Sequence, residues 1–152
     1  MRSFKLADSG ATLRLGEALA AGARPGTVLF ISGDLGAGKT TLVRGLLRGL
    51  GHAGRAKSPT YALVEPYSFS RLDLYHFDFY RFKERAEWLN SGFREHFNER
   101  SLCVVEWPEK AGDLLAPPDL HIRLDFAGDA RSASLDARST AGEAWLSSLR
   151  YP

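Results

Sequence analysis

The stretch Gly33-Asp34-Leu35-Gly36-Ala37-Gly38-Lys39-Thr40 constrains this chain more than any other. A glycine-rich turn can aim several backbone N–H groups inward at phosphate oxygens, where side chains would obstruct them. The run before it, Thr27-Val28-Leu29-Phe30-Ile31, is continuously apolar and rich in β-formers, which predicts a strand buried on both faces leading straight into the loop. After it, Lys39 to Leu50 places Leu42, Val43, Leu46, Leu47 and Leu50 on one helical stripe, with Gly49 and Gly51 near the end. A helix that begins at the phosphates turns its unsatisfied N–H groups and the positive end of its dipole toward the same negative charge. Strand, loop and helix in this order distinguish a P-loop from a chance glycine turn, with Lys39 reaching the β and γ phosphates and the Thr40 hydroxyl on magnesium.

The remaining pattern predicts an α/β chain. Ala11 to Ala21 reads as a helix capped by Ser9, and Pro25-Gly26 as a turn. No element is assigned to Phe4-Lys5-Leu6. Tyr61 to Tyr67 reads as a short strand ended at Pro66. Leu72 to Tyr80 reads as a strand with Leu72, Leu74, His76, Asp78 and Tyr80 on one face and Asp73, Tyr75, Phe77 and Phe79 on the other. Glu84 to Asn98 looks helical with a break at Ser91-Gly92. A strand over Leu102 to Glu106 precedes a turn started by Pro108. Leu120 to Phe126 and Arg131 to Ala137 form an antiparallel pair around Gly128-Asp129, and a helix covers Thr140 to Leu149. The expected fold is a three-layer P-loop NTPase with a central, mostly parallel sheet and a C-terminal antiparallel hairpin. With 152 residues and 44% hydrophobic content, residues 1–152 are expected to form one domain.

A phosphate cradle needs an acidic group to organise magnesium, usually at the end of a neighbouring apolar strand. Glu106 stands there, after Leu102-Cys103-Val104-Val105, with direct ligation and coordination through water both open. Its alternative role is an exposed carboxylate capping the Pro108 turn. Asp78 is the second acidic candidate, either holding or orienting a water at the phosphates or pairing with Arg81 or Arg71. The single cysteine, Cys103, falls in a buried run and reads as core. No stretch approaches a membrane span of about 18 apolar residues and no leader pattern opens the chain, so a cytoplasmic location is expected.

The net charge of +2 is too small to identify a partner. Arg44, Arg48, Arg55 and Lys57 cluster in and after the P-loop helix, either as a docking surface for tRNA or an acidic partner, or as a solvated helix face.

Together with the P-loop, Ser58-Pro59-Thr60-Tyr61, His76-Phe77-Asp78-Phe79-Tyr80-Arg81 and Val105-Glu106-Trp107-Pro108 make the chain resemble the TsaE (YjeE) family, nearly end to end. The resemblance implies a magnesium-dependent ATPase, weak alone, that binds the TsaB and TsaD proteins. Its ATP hydrolysis would support repeated turnover in forming threonylcarbamoyladenosine in tRNA, which it would touch indirectly or weakly. Position by position, the resemblance implies triphosphate binding by Gly36, Ala37, Gly38, Lys39, Thr40 and Thr41, magnesium binding by Thr40 and Glu106, and support of hydrolysis by Asp78. It makes Ser58-Pro59-Thr60 a switch segment in which Thr60 senses the γ-phosphate, and puts Trp107 beside the nucleotide or a partner, or over the core. Where family members often carry Gly-Arg at the hairpin turn, this chain has Gly128-Asp129. Arg131 is the substitute on the adenine side, and Thr12 a further candidate there.

Other P-loop functions separate on the same residues. A GTPase would need a guanine-reading Asn-Lys pair, yet neither Asn90 nor Asn98 precedes a lysine. A small-molecule kinase would need an arginine-bearing lid, for which Arg81-Phe82-Lys83-Glu84-Arg85 is the one lid-like cluster. A binding module gated by ATP with little hydrolysis is the third reading, since the sequence displays no obvious arginine finger.

Overall fold

The computed structural model describes residues 1–57, 59 and 62–151. Strands β1 (Arg2–Leu6), β2 (Thr27–Ser32), β3 (Val64–Ser68), β4 (Asp73–Asp78), β5 (Ser101–Glu106), β6 (Leu120–Ala127) and β7 (Ala130–Ala137) form one sheet. Helices α1 (Ser9–Ala20), α2 (Lys39–Gly49), α3 (Arg85–Ser91) and α4 (Thr140–Ser148) pack on it. The strand order is β1-β7-β6-β2-β5-β4-β3. The central strands β6, β2, β5 and β4 run parallel, while the pairings β1–β7 and β7–β6 at one margin and β3–β4 at the other are antiparallel. This is the expected α/β architecture, and the β6–β7 hairpin turns at Gly128-Asp129 as its sequence predicts.

Four details differ from expectation. The cap of α1 is Asp8, whose carboxylate accepts from the Ala11 N–H at 2.8 Å, so Ser9 becomes the first helical residue. Pro66 does not end a strand: it sits inside β3, opposite Tyr75. Because β3 is a sheet margin, the N–H that proline lacks is not required by a second neighbour. Strand β4 stops at Asp78 instead of reaching Tyr80, because the Asp78 carboxylate accepts the Tyr80 N–H at 2.9 Å and begins a turn. Phe4-Lys5-Leu6 belongs to β1, which buries Leu6 and pairs with β7; five residues of alternation give a weak signal that only the waiting sheet margin completes.

Strand alternation divides the core in two. Leu29, Ile31, Leu74, Leu102, Val104 and Ile122 meet α1, α2 and α4 on one face. Phe30, Phe77, Phe79, Cys103 and Val105 meet Trp88 and Phe93 on the other. Phe93 lies just beyond α3, where Gly92 at φ 77° breaks the helix at the predicted point and a short 3-10 turn, Phe93–His96, follows. Cys103 is core, as its neighbours predict, and burial pushes its thiol up to about 12.

Helices α1 and α2 touch backbone to backbone. A Cβ on Gly45 would stand 2.1 Å from the Leu13 carbonyl oxygen, and one on Gly16 2.2 Å from that of Leu42. Two glycines in helix interiors, each costing about 0.5–1 kcal/mol relative to alanine, therefore fix how closely α2 lies and where its first turn meets the end of β2.

Candidate functional site

The loop between β2 and α2 turns through Gly36 at φ 81° and Gly38 at φ 105°, backbone angles that a residue with a Cβ adopts only under strain. Lys39, the first residue of α2, arcs back over the loop. Its Nζ donates to the Gly33 carbonyl at 2.5 Å and the Asp34 carbonyl at 2.9 Å, and lies 4.4 Å from the Trp107 ring centroid. Burial lowers its pKa, while Glu106, Asp78, Glu109 and Asp34 pull the other way. A cation is thus held in the hollow of the loop, against the desolvation that would neutralise it.

Glu106 closes β5, between Ile31 of β2 and Asp78 of β4 in the parallel register. It is 2% exposed, which excludes the role of a surface cap on the Pro108 turn. The Thr40 hydroxyl lies 3.2 Å from each of its carboxylate oxygens, and His76 Nε2 lies 2.5 Å from Oε2. An ionised carboxylate only accepts, so His76 donates from Nε2. Its buried Nδ1 has no hydrogen-bond partner among the described residues. His76 is a candidate site residue to which the sequence reading assigns no role. Its signal was the strand period: His76 and Asp78 share the face of Leu74, and the parallel neighbour presents Glu106 on that same face. Asp78, also buried, lies beside Glu106 with its own carboxylate tied to the Tyr80 N–H.

Gly38, Lys39, Thr40, Asp78, Glu106 and Trp107 all line one cavity of about 390 Å³, and Arg81 stands at its wall. Trp107 is half-buried at φ 56°, with its ring 5.0 Å from that of Tyr80. It therefore borders the cradle on one side and covers the edge of the aromatic core on the other. Across the loop, Thr12, Gly36, Ala37, Gly38, Thr41 and Arg131 line a second hollow of about 150 Å³, shared with Asp8 and Asp129. Arg131 reaches it by folding back along the hairpin: its guanidinium donates to the Gly36 carbonyl at 3.3 Å and lies 4.3 Å from the Phe126 ring centroid. The switch candidate Thr60 lies outside the described residues.

The donor set fits magnesium with a phosphorylated ligand. Among the described residues no group of three or more His, Cys, Asp and Glu could hold a metal unaided. A hydroxyl and a carboxylate meeting at 3.2 Å supply two hard oxygens, and magnesium is commonly held by one or two protein oxygens with phosphate and water completing its shell.

No helix among the described residues is long and apolar enough to cross a membrane. Residues 6–133 match the family described as Threonylcarbamoyl adenosine biosynthesis protein TsaE. The chain is 43% identical over 122 residues to the tRNA threonylcarbamoyladenosine biosynthesis protein TsaE of Haemophilus influenzae, covering 80% of this chain and 77% of that one. It is 40% identical over 118 residues to the protein of the same description in Bacillus subtilis, covering 78% and 73%. The crystal structure of Bacillus subtilis YdiB aligns with a TM-score of 0.80 at 30% identity, over 96% of this chain and 91% of that one.

Proposed function

The chain belongs to the TsaE family, and on that premise we propose that it is a magnesium-dependent ATPase that binds a TsaB–TsaD complex and supports repeated turnover in tRNA threonylcarbamoyladenosine synthesis. The observation that carries the reading is the meeting of Lys39, Thr40, Glu106 and His76 at the first turn of α2. The loop backbone and Lys39 bind the triphosphate, Lys39 exchanging its loop carbonyls for phosphate oxygens. Thr40 and Glu106 hold magnesium, which when bound neutralises charge on the β and γ phosphates. His76 fixes the orientation of the Glu106 carboxylate by donating to it. Asp78 orients the attacking water, a placement role in which no covalent bond to the protein is required. Thr12 and Arg131 border the adenine end, and Trp107 closes the cavity beside Lys39.

The arginine at the cavity wall, Arg81, supplies positive charge within the chain, and the partner completes the constellation. Steady-state ATP hydrolysis, measured alone and with TsaB–TsaD, tests this: the rate is expected to rise with the partners, and equal rates contradict partner activation. Reconstituted tRNA modification is expected to stop after about one cycle without this protein and to continue with it. Transfer of labelled phosphate to an added small molecule would instead identify a kinase.

A further inference from the structure

Helix α2 carries no acidic residue, and it presents Arg44 and Arg48 to solvent one turn apart. Like charges at this spacing repel by a few tenths of a kcal/mol, so the pair is unfavourable to the helix itself. Beyond the helix the chain folds back, and Arg55 joins them around a hollow of about 540 Å³ whose wall also includes His52 and Ala56. This return is anchored: the His52 ring meets Tyr67 edge-on with centroids 5.0 Å apart, and the Lys57 N–H donates to the Tyr67 hydroxyl at 3.0 Å. No acidic residue lines the hollow. Arg44, Arg48, Arg55 and Lys57 form no ion pair among the described residues, so their charges are not neutralised within the chain.

We infer that this cleft docks the sugar–phosphate backbone of RNA. A forked guanidinium matches phosphate oxygens two at a time, which makes arginine the side chain suited to the task. Cations converging from a helix and a returning loop suit a ridge of repeated anions entering a groove; a flat acidic protein surface would be met by a flat basic one. The cleft lies past the first turn of α2 and shares no lining residue with the cradle cavity. The choice of RNA among polyanions rests on the function proposed above, while the convergence of the cations does not.

The test uses the full chain and a fluorescently labelled, unmodified tRNA transcript, with anisotropy followed from about 50 to about 300 mM KCl. With three to four phosphate contacts, log K is expected to fall against log salt with a slope near −3. R44E/R48E is expected to weaken binding at least about tenfold at the lowest salt and to flatten the slope by about 2, with R44A/R48A intermediate. Both variants are expected to keep wild-type ATP hydrolysis, and if the charge reversal fails to fold, the alanine pair carries the test. Variants that bind tRNA as the wild type does, or a wild type that binds none, overturn the inference. Labelled poly-glutamate binding as tightly as tRNA also overturns it and assigns the cleft to an acidic protein. Loss of wild-type ATPase activity with the salt-dependent RNA binding intact would refute the proposed function and leave the cleft standing.

Discussion

On the face covered by α1, α2 and α4, strands β4 and β5 present Leu74, Leu102 and Val104 and then, at their last positions, His76, Asp78 and Glu106. On the opposite face the same strands present Phe77, Cys103 and Val105, covered chiefly by Trp88, Phe93 and the partly buried Phe97. The first face ends in polar groups beneath the start of α2; the second stays apolar and aromatic, with ring pairs such as Phe77–Phe93 at 5.6 Å and Phe79–Trp88 at 6.1 Å. Neighbouring residues on one strand thus serve different ends, packing on one side and candidate chemistry on the other, because alternate side chains point to opposite faces. The comparison teaches that the two functions should separate by mutation.

The largest separation is expected from Trp88→Ala on the aromatic face. Emptying this buried site should cost about 3–5 kcal/mol in urea unfolding, while the protein that remains folded binds ATP as before. A matching loss of ATP affinity would break the division. On the other face, Lys39→Ala and Glu106→Gln are each expected to lower ATP hydrolysis by at least about 100-fold, roughly 2.7 kcal/mol, with little change in melting temperature, since glutamine keeps an acceptor for the buried His76. Near-normal turnover in either variant would remove these residues from the site.

His76→Ala should weaken magnesium-dependent ATP binding by about 10- to 100-fold, the range for partners that orient a metal ligand. His76→Gln keeps a donor and should recover part of that loss. Equal losses in both variants, accompanied by unfolding, would make His76 a packing residue. The smallest effect sharpens the comparison by joining the two properties. Gly45→Ala must push α1 from α2, at a cost of about 1–3 kcal/mol, and because α2 begins in the loop it should weaken ATP binding as well. Lost stability with unchanged ATP binding would show that the loop does not depend on the α1–α2 contact.

The phosphate loop was legible because its determinants are local: glycines that permit left-handed angles, an apolar strand before and an amphipathic helix after. The faces of β4 were legible for the same reason, from simple alternation. The link from His76 to Glu106 was not, because the residues are thirty apart and meet only through the parallel pairing of β4 with β5. Arg131 illustrates a second limit. The sequence offers it as a substitute on the adenine side without showing how a strand residue past the turn would reach the loop; the guanidinium folded back over Phe126 brings it to Gly36. The strand β1 and the passage of β3 through Pro66 likewise depend on which strands lie at the sheet margins, a property of topology.

The most direct test of the account is a calorimetric titration of ATP into the protein and into Glu106→Gln, once with magnesium and once with a chelator. The wild type should bind at least about tenfold more tightly with magnesium, and the variant should lose that gain while keeping its magnesium-free affinity. Equal wild-type affinity in both conditions, or a variant that keeps the full gain, would contradict the assignment of Thr40 and Glu106 to the metal.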